Sequence, residues 1–263
     1  MPHVTGEGAK IYWREEGEGD PLLLIMGLGC SSDLWHRMAP ELSLRYRTIM
    51  FDNRGVGRSD APPGPYSIST MAGDAAAVLD AAGIESAHVF GYSMGGMIAQ
   101  ELALRHPSRV RSLILGSTSC GGGHSVLAAP EVLNTLMTRV FDPVEAFWAM
   151  APYLYDSKTP REKLEEDLEV RSPTFPGLEG FLAQLQAITA WESFGRLNSL
   201  KVPTLVVHGE TDQLVPAQNA DILAKEIPCA KLVRIAEAGH VLMTDKPQEA
   251  NGAILSFLND VRV

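Results

Sequence analysis

Basic residues are in short supply in this chain, cysteine is rarer still, and no stretch is both long and apolar. Lys and Arg number 22 against 32 Asp and Glu, a formal charge of −10 over 263 residues. A nucleic-acid surface needs clustered cations to displace counterions from phosphates, so no nucleic-acid partner is expected. The three cysteines, Cys30, Cys120 and Cys229, leave one over from any pairing and form no CxxC. Neither a disulfide framework nor a zinc cluster is therefore expected, and a reducing cytoplasm is the compartment they suggest. The longest apolar run, Pro21 to Met26, has the length of a strand and falls far short of the ~20 residues that span a bilayer. Glu7, Glu15, Glu16, Glu18 and Asp20 stand where a secretory signal would have a basic and then an apolar segment, so no signal peptide is expected either. Internal repeats and low-complexity tracts are missing, which sets aside solenoids and disordered tails.

What remains is an ordinary globular composition, 45% hydrophobic and 21% charged, in a chain long enough to bury a large core. Short apolar runs alternate with helical stretches. Strands are predicted at Ala9–Glu15, Pro21–Met26, Arg47–Asp52, His88–Phe90, Val110–Leu115, Thr204–His208 and Lys231–Ile235. Helices are predicted near Ser32–Leu44, Ser69–Ala82 with Ser69 as N-cap, Met94–His106, Ala217–Glu226 and Pro247–Leu258. This rhythm means βαβ units, hence an α/β fold: a mostly parallel central sheet with helices on both faces. Between Cys120 and about Leu197 the rhythm fails, leaving helical stretches punctuated by Pro130, Pro143, Pro160, Pro173 and Pro176. The expected organisation is a core from residues 1–119 and 196–263, with a helical lid inserted at 120–195 over the carboxyl ends of the strands.

The most informative segment is His88-Val-Phe-Gly-Tyr-Ser-Met-Gly-Gly96. A predicted strand runs into a predicted helix with one serine between glycines, G-x-S-x-G. Side chains at Gly91 and Gly95 would collide with backbone in so tight a turn, which lifts Ser93 out of the sheet as a nucleophile. The Met94 N–H then stands at a helix N-terminus, facing the place where an oxyanion develops. A serine nucleophile needs a base and an orienting carboxylate. Of seven histidines, His240 lies after the last strand and before the last helix, where a loop can carry it over Ser93; His124, in a glycine-rich loop, is a distant rival. Asp212, in the turn after Thr204–His208, is the expected acid, with Glu210 and then Asp245 as alternatives. No metal-ligand spacing accompanies these residues, and neither a metal nor a cofactor is expected.

At these residues the sequence resembles the α/β-hydrolase superfamily, over nearly its whole length. It is most similar to small bacterial carboxylesterases and enol-lactone hydrolases with a helical cap. Met26 to Trp35, Phe51-Asp-Asn-Arg-Gly-Val-Gly-Arg-Ser-Asp60, Gly91 to Gly96, and Gly209 to Pro216 with Gly239-His240 carry the likeness. The order Ser93, Asp212, His240 is the order of that superfamily. The resemblance implies a second oxyanion donor after the first core strand, at Leu28 N–H, although Met26-Gly27 replaces the His-Gly of many relatives. It also implies that Asp52–Asp60 is a structural loop beside the site.

These readings together predict hydrolysis of a small carboxylic ester or lactone through an acyl-enzyme, by a monomer or homodimer with no membrane partner. Four alternatives stay open: enol-lactonase action on a dicarboxylate, C–C bond hydrolysis, cofactor-free perhydrolysis, and ligand reception without turnover. The inserted segment is rich in aromatics, from which Trp148 and Trp191 are chosen as substrate-binding residues. Its eleven acidic and five basic residues leave it at −6, a field expected to favour neutral, moderately apolar esters over dicarboxylates unless one arginine, Arg139 or Arg171, dominates locally.

Overall fold

The structure is a computed structural model and describes residues 2–137, 142–228 and 230–261. Eight strands form one sheet: β1 (His3–Thr5), β2 (Lys10–Glu16), β3 (Asp20–Ile25), β4 (Tyr46–Phe51), β5 (Ala87–Tyr92), β6 (Val110–Gly116), β7 (Thr204–Gly209) and β8 (Lys231–Ile235). Their spatial order is β1-β2-β4-β3-β5-β6-β7-β8. The β1–β2 and β2–β4 pairings are antiparallel and the rest parallel. The short β1, which has too few apolar residues to announce itself, pairs His3 with Tyr12.

Period-two alternation sorts the strand side chains onto two faces. Leu23, Ile25, Val89, Leu113 and Val206 enter one core with α2 (Ile68–Ala81), α3 (Met94–Arg105) and α8 (Gln218–Glu226). Leu22, Leu24, Phe90, Ile114 and Val207 enter the other, with the Ser32–Arg37 turn, α1 (Ala39–Leu42) and α10 (Pro247–Asp260). Because helices cover both faces, the central strands read as continuous apolar runs.

Two predicted helices are corrected. Ser32–Leu44 is not one helix: a 3-10 turn over Ser32–Arg37 gives way to the single turn α1, because Pro40 has no N–H to continue the ladder. The N-cap of α2 is Ser67, extended at φ −136°, whose hydroxyl accepts from Thr70 N–H; Ser69 lies within the first turn.

Among the described residues, four α-helices run between β6 and β7: α4 (Pro130–Met137), α5 (Pro143–Leu154), α6 (Arg161–Arg171) and α7 (Leu178–Thr189). The two stems of this segment meet at an isolated Gly121–Glu192 bridge and at Ser193 N–H donating to Cys120 C=O at 2.8 Å. The short α9 (Leu242–Asp245) precedes α10. The chain leaves β3 toward β4 on one side, while β5, β6, β7 and β8 extend the sheet on the other. The crevice at the carboxyl ends of β3 and β5 is thus the switch point of the sheet, where open α/β folds bind ligands. Among the described residues no helix is long and apolar enough to cross a membrane.

Candidate active site

Ser93 follows β5 directly and has φ +56°, ψ −122°, a conformation that L residues rarely adopt. Close packing on both sides forces the turn. A Cβ at Gly91 would lie 2.2 Å from Gly95 C=O, and one at Gly95 would lie 2.0 Å from Ile25 C=O. Only glycine lets α3 start this close to the sheet. Serine at a helix N-cap ordinarily accepts from an N–H of the first turn; here Ser93 makes no such bond. Its Oγ lies 3.1 Å from His240 Nε2.

His240 is carried by the loop between β8 and α9. Its Nδ1 is 2.8 Å from Asp212 Oδ2, and both side chains are buried. Since a carboxylate can only accept, Nδ1 bears the hydrogen and Nε2 presents its lone pair to Ser93. The other oxygen of Asp212 accepts from Leu214 and Val215 N–H at 3.0 and 2.8 Å. Burial opposes ionisation of this carboxyl, but electrostatic attraction to the His240 ring and hydrogen bonds from His208 and His240 hold it below its ordinary range.

The rivals stand elsewhere. Glu210 is exposed, with its N–H on Ile235 C=O. Asp245 does not reach the imidazole; its Oδ2 accepts from Gly239 N–H at 2.7 Å and Asp156 N–H at 3.2 Å, and so fixes the loop that carries His240. His124 is exposed and stacks on Phe194 at 3.8 Å.

Two further residues escaped the sequence reading. His208, fully buried, places Nε2 3.1 Å from Asp212 Oδ2 and 2.8 Å from Val215 C=O, giving the acid a second imidazole partner. Its signal was the i, i+4 spacing to Asp212 across the strand end. Tyr92 donates its hydroxyl to the His240 carbonyl and packs its ring 5.4 Å from the imidazole.

The β3–α1 loop passes directly over the serine: a Cβ at Gly27 would be 3.0 Å from Ser93 Cβ. Gly29 N–H is held by Gln184 Oε1 at 2.8 Å, while Gln184 Nε2 donates to Arg54 C=O at 2.7 Å. Among the described residues neither Leu28 nor Met94 N–H has a protein partner. Leu28 lines the cavity and Met94 opens α3, so both donors are free to meet an oxyanion. The Asp52–Asp60 loop braces this wall from behind. Asp52 accepts from Ser32 N–H (2.7 Å) and Arg58 N–H (2.9 Å), and Asn53 Nδ2 donates to Met26 C=O at 2.8 Å.

Ser93 and His240 open into a cavity of about 130 Å³, walled by Leu28, Phe147, Tyr155, Phe175, Phe181 and Leu214, among others. That space suits a small molecule, since ~150 Å³ holds a benzene ring. Neither Trp148 nor Trp191 is part of this wall. Trp191 is buried against the core with Nε1 donating to Glu101 Oε2 at 3.0 Å. Trp148 carries the Arg161 guanidinium 4.5 Å above its ring. Arg139 and Cys229 lie outside the described residues.

A model of the alpha/beta hydrolase fold matches residues 20–247. Over 265 residues the chain is 34% identical to RutD of Azorhizobium caulinodans, named as a carbamate hydrolase, covering 99% of both chains. The enol-lactonase of Burkholderia xenovorans superposes with a TM-score of 0.88 at 25% identity, over 98% of this chain and 100% of that one. Est816, described as an N-acyl homoserine lactone degrading enzyme, superposes at 0.83 with 32% identity, over 97% of this chain and 100% of that one.

Proposed function

This chain belongs to the α/β-hydrolase family, and from that premise we propose that it is a serine hydrolase of small carboxylic esters or lactones. The observation that carries the reading is the continuous hydrogen-bonded line from Asp212 through His240 to Ser93, opening on a small, largely apolar cavity. His240 takes the Ser93 proton as Oγ attacks the carbonyl, and the ionised Asp212 stabilises the imidazolium that results. Leu28 and Met94 N–H groups hold the tetrahedral oxyanion. The alcohol leaves with the proton from His240. Water activated by the same imidazole then releases the acid from Ser93, so atoms and charge balance without a cofactor. In this reading residues 120–195 form a cap that excludes bulk water from the acyl-enzyme.

The likeness to a protein named as a carbamate hydrolase favours a second substrate class, because a carbamate carbonyl admits the same attack. A series of 4-nitrophenyl esters, lactones and an aryl carbamate, assayed on one preparation, separates the two. A fluorophosphonate should label Ser93 alone, and Ser93→Ala should abolish turnover of the whole series while the circular dichroism spectrum is kept. Labelling at another serine, or turnover surviving in Ser93→Ala, refutes the serine mechanism.

A further inference from the structure

The cavity wall is apolar but for a few groups, and one of these is a cation. Arg171, the last residue of α6, lines the cavity together with Ser93 and His240. Its Nε is buried and has no hydrogen-bond partner. Among the described residues its guanidinium forms no ion pair with a carboxylate, and its neighbours include the Phe147 ring, 5.7 Å to the centroid, the Cys30 thiol and the Tyr155 hydroxyl, with Asp167 acting on it through space. Cys30 offers no compensating charge: burial pushes its thiol above the ordinary value, and its Sγ donates to Leu28 C=O at 3.3 Å.

The nearest acid is already engaged. Asp167 lies one turn before Arg171 on α6, but its Oδ1 accepts from Arg37 Nε at 3.1 Å, and its Oδ2 accepts from Thr244 Oγ1 at 2.6 Å and Tyr155 Oη at 3.0 Å. Glu162, Glu165, Glu166 and Glu169 of the same helix are exposed. Solvent and salt screen their charge within about 8 Å at physiological ionic strength. The negative total of the 120–195 segment therefore describes mainly the outer surface of α6; the one acid of that helix that lines the cavity is Asp167, already held by Arg37, Thr244 and Tyr155. A cation kept out of water with no carboxylate in direct contact is costly, unless the molecule that fills the cavity brings the opposite charge.

We propose that Arg171 is a specificity-determining residue and that the natural substrate is a small ester or lactone bearing a carboxylate, which the guanidinium pairs with while Ser93 faces the scissile carbonyl. This deepens the serine-hydrolase reading and rests on it for the reaction. The planar fork suits a carboxylate, which can take two parallel N–H bonds. The Phe147 face supports the guanidinium in that orientation.

The test compares kcat/KM for mono-4-nitrophenyl succinate with that for 4-nitrophenyl butyrate, and 4-carboxyphenyl butyrate with phenyl butyrate. The first pair carries the charge on the acyl side and the second on the alcohol side. In Arg171→Gln the charged-to-neutral ratio should fall roughly 10- to 100-fold for at least one pair, which then names the side. Arg171→Lys, which keeps the charge but not the fork, should recover part of that loss. An unchanged ratio for both pairs overturns the proposal, whatever the absolute rates. A second measurement needs no Arg171 variant. Butyrate should compete with the neutral ester in the wild-type protein at least tenfold more strongly than butyramide, and equal inhibition overturns the proposal. Calorimetric binding of butyrate to Ser93→Ala reads the arginine without turnover, so failure of the serine mechanism and failure of the carboxylate site give different results.

Discussion

On its strand side the cavity is shaped by closely packed backbone. Gly91 and Gly95 bring α3 against β3 and β5, the loop at Gly27 crosses the serine at contact distance, and the two free N–H groups belong to the main chain. On its helical side it is walled by side chains. Phe147, Tyr155, Phe175 and Phe181 supply apolar surface, and Arg171 and Asp167 supply the charge. Backbone walls tolerate almost no substitution but also do not titrate or change rotamer. Side-chain walls can be redrawn one residue at a time, and they answer to pH. In the proposed mechanism the oxyanion is held by the rigid half, and selection falls to the adjustable half.

The sharpest way to break that contrast is at the acid. Asp212→Asn keeps the shape but presents a donor to His240 Nδ1, favouring the wrong tautomer. Stopped or initial-rate kinetics should show kcat lower by roughly 10⁴, against less than twofold for Glu210→Gln. The reverse pattern would move the acid two residues upstream. Next in size is glycine. Gly95→Ala drives a methyl into Ile25 C=O and should cost about 3 kcal/mol in urea unfolding, whereas Gly177→Ala, with open space on the helical side, should cost less than about 1 kcal/mol. Equal losses would mean that the helical side is as backbone-limited as the strand side.

The smallest effect tests titration. Burial opposes ionisation of Asp167, but hydrogen bonds from His36 and Thr244 and the charge of Arg37 hold its carboxyl below its ordinary 3.8. A depressed carboxyl contributes its full stability above the unfolded value and loses it as pH falls through the folded one. The difference in melting temperature between wild type and Asp167→Asn should therefore be largest above pH 5 and shrink steadily below pH 4. A gap that widens on acidification would reverse the sign of the linkage.

The same division explains what could be read in advance. The Gly91-Tyr-Ser-Met-Gly95 turn, the Asp212 turn and the Gly239-His240 loop are local solutions to local backbone problems, so a few adjacent residues encode them. Trp191 is different: its indole is claimed by Glu101, 90 residues away, and nothing nearby in sequence marks that partnership. Gln184 joins Gly29 to Arg54 across even longer separations. Aromatic content told that the segment had rings to spend on a cavity wall, but which rings face inward depends on how α5 and α7 are rolled against the core. Net charge is a coarse guide for a related reason, since it sums over a helix whose two faces see different surroundings. Ser67 rather than Ser69 caps α2 because Ile68 is buried there, a tertiary choice between two locally equivalent serines.

The turn that ends α5 has a bearing on how such proteins diversify by recombination. Leu154 C=O accepts from Val241 N–H at 2.8 Å, Asp156 Oδ2 accepts from Thr211 Oγ1 at 2.7 Å, and Thr159 Oγ1 donates to Asp245 Oδ1 at 2.6 Å. Residues 154–159 are thus stitched to the loops that carry Asp212 and His240. A chimera that exchanges 121–192 as one cassette removes those stitches along with the pocket. Crossovers placed on either side of 152–160 leave them in the recipient, so the portable unit is two pieces rather than one: α4 with the start of α5, and α6 with α7.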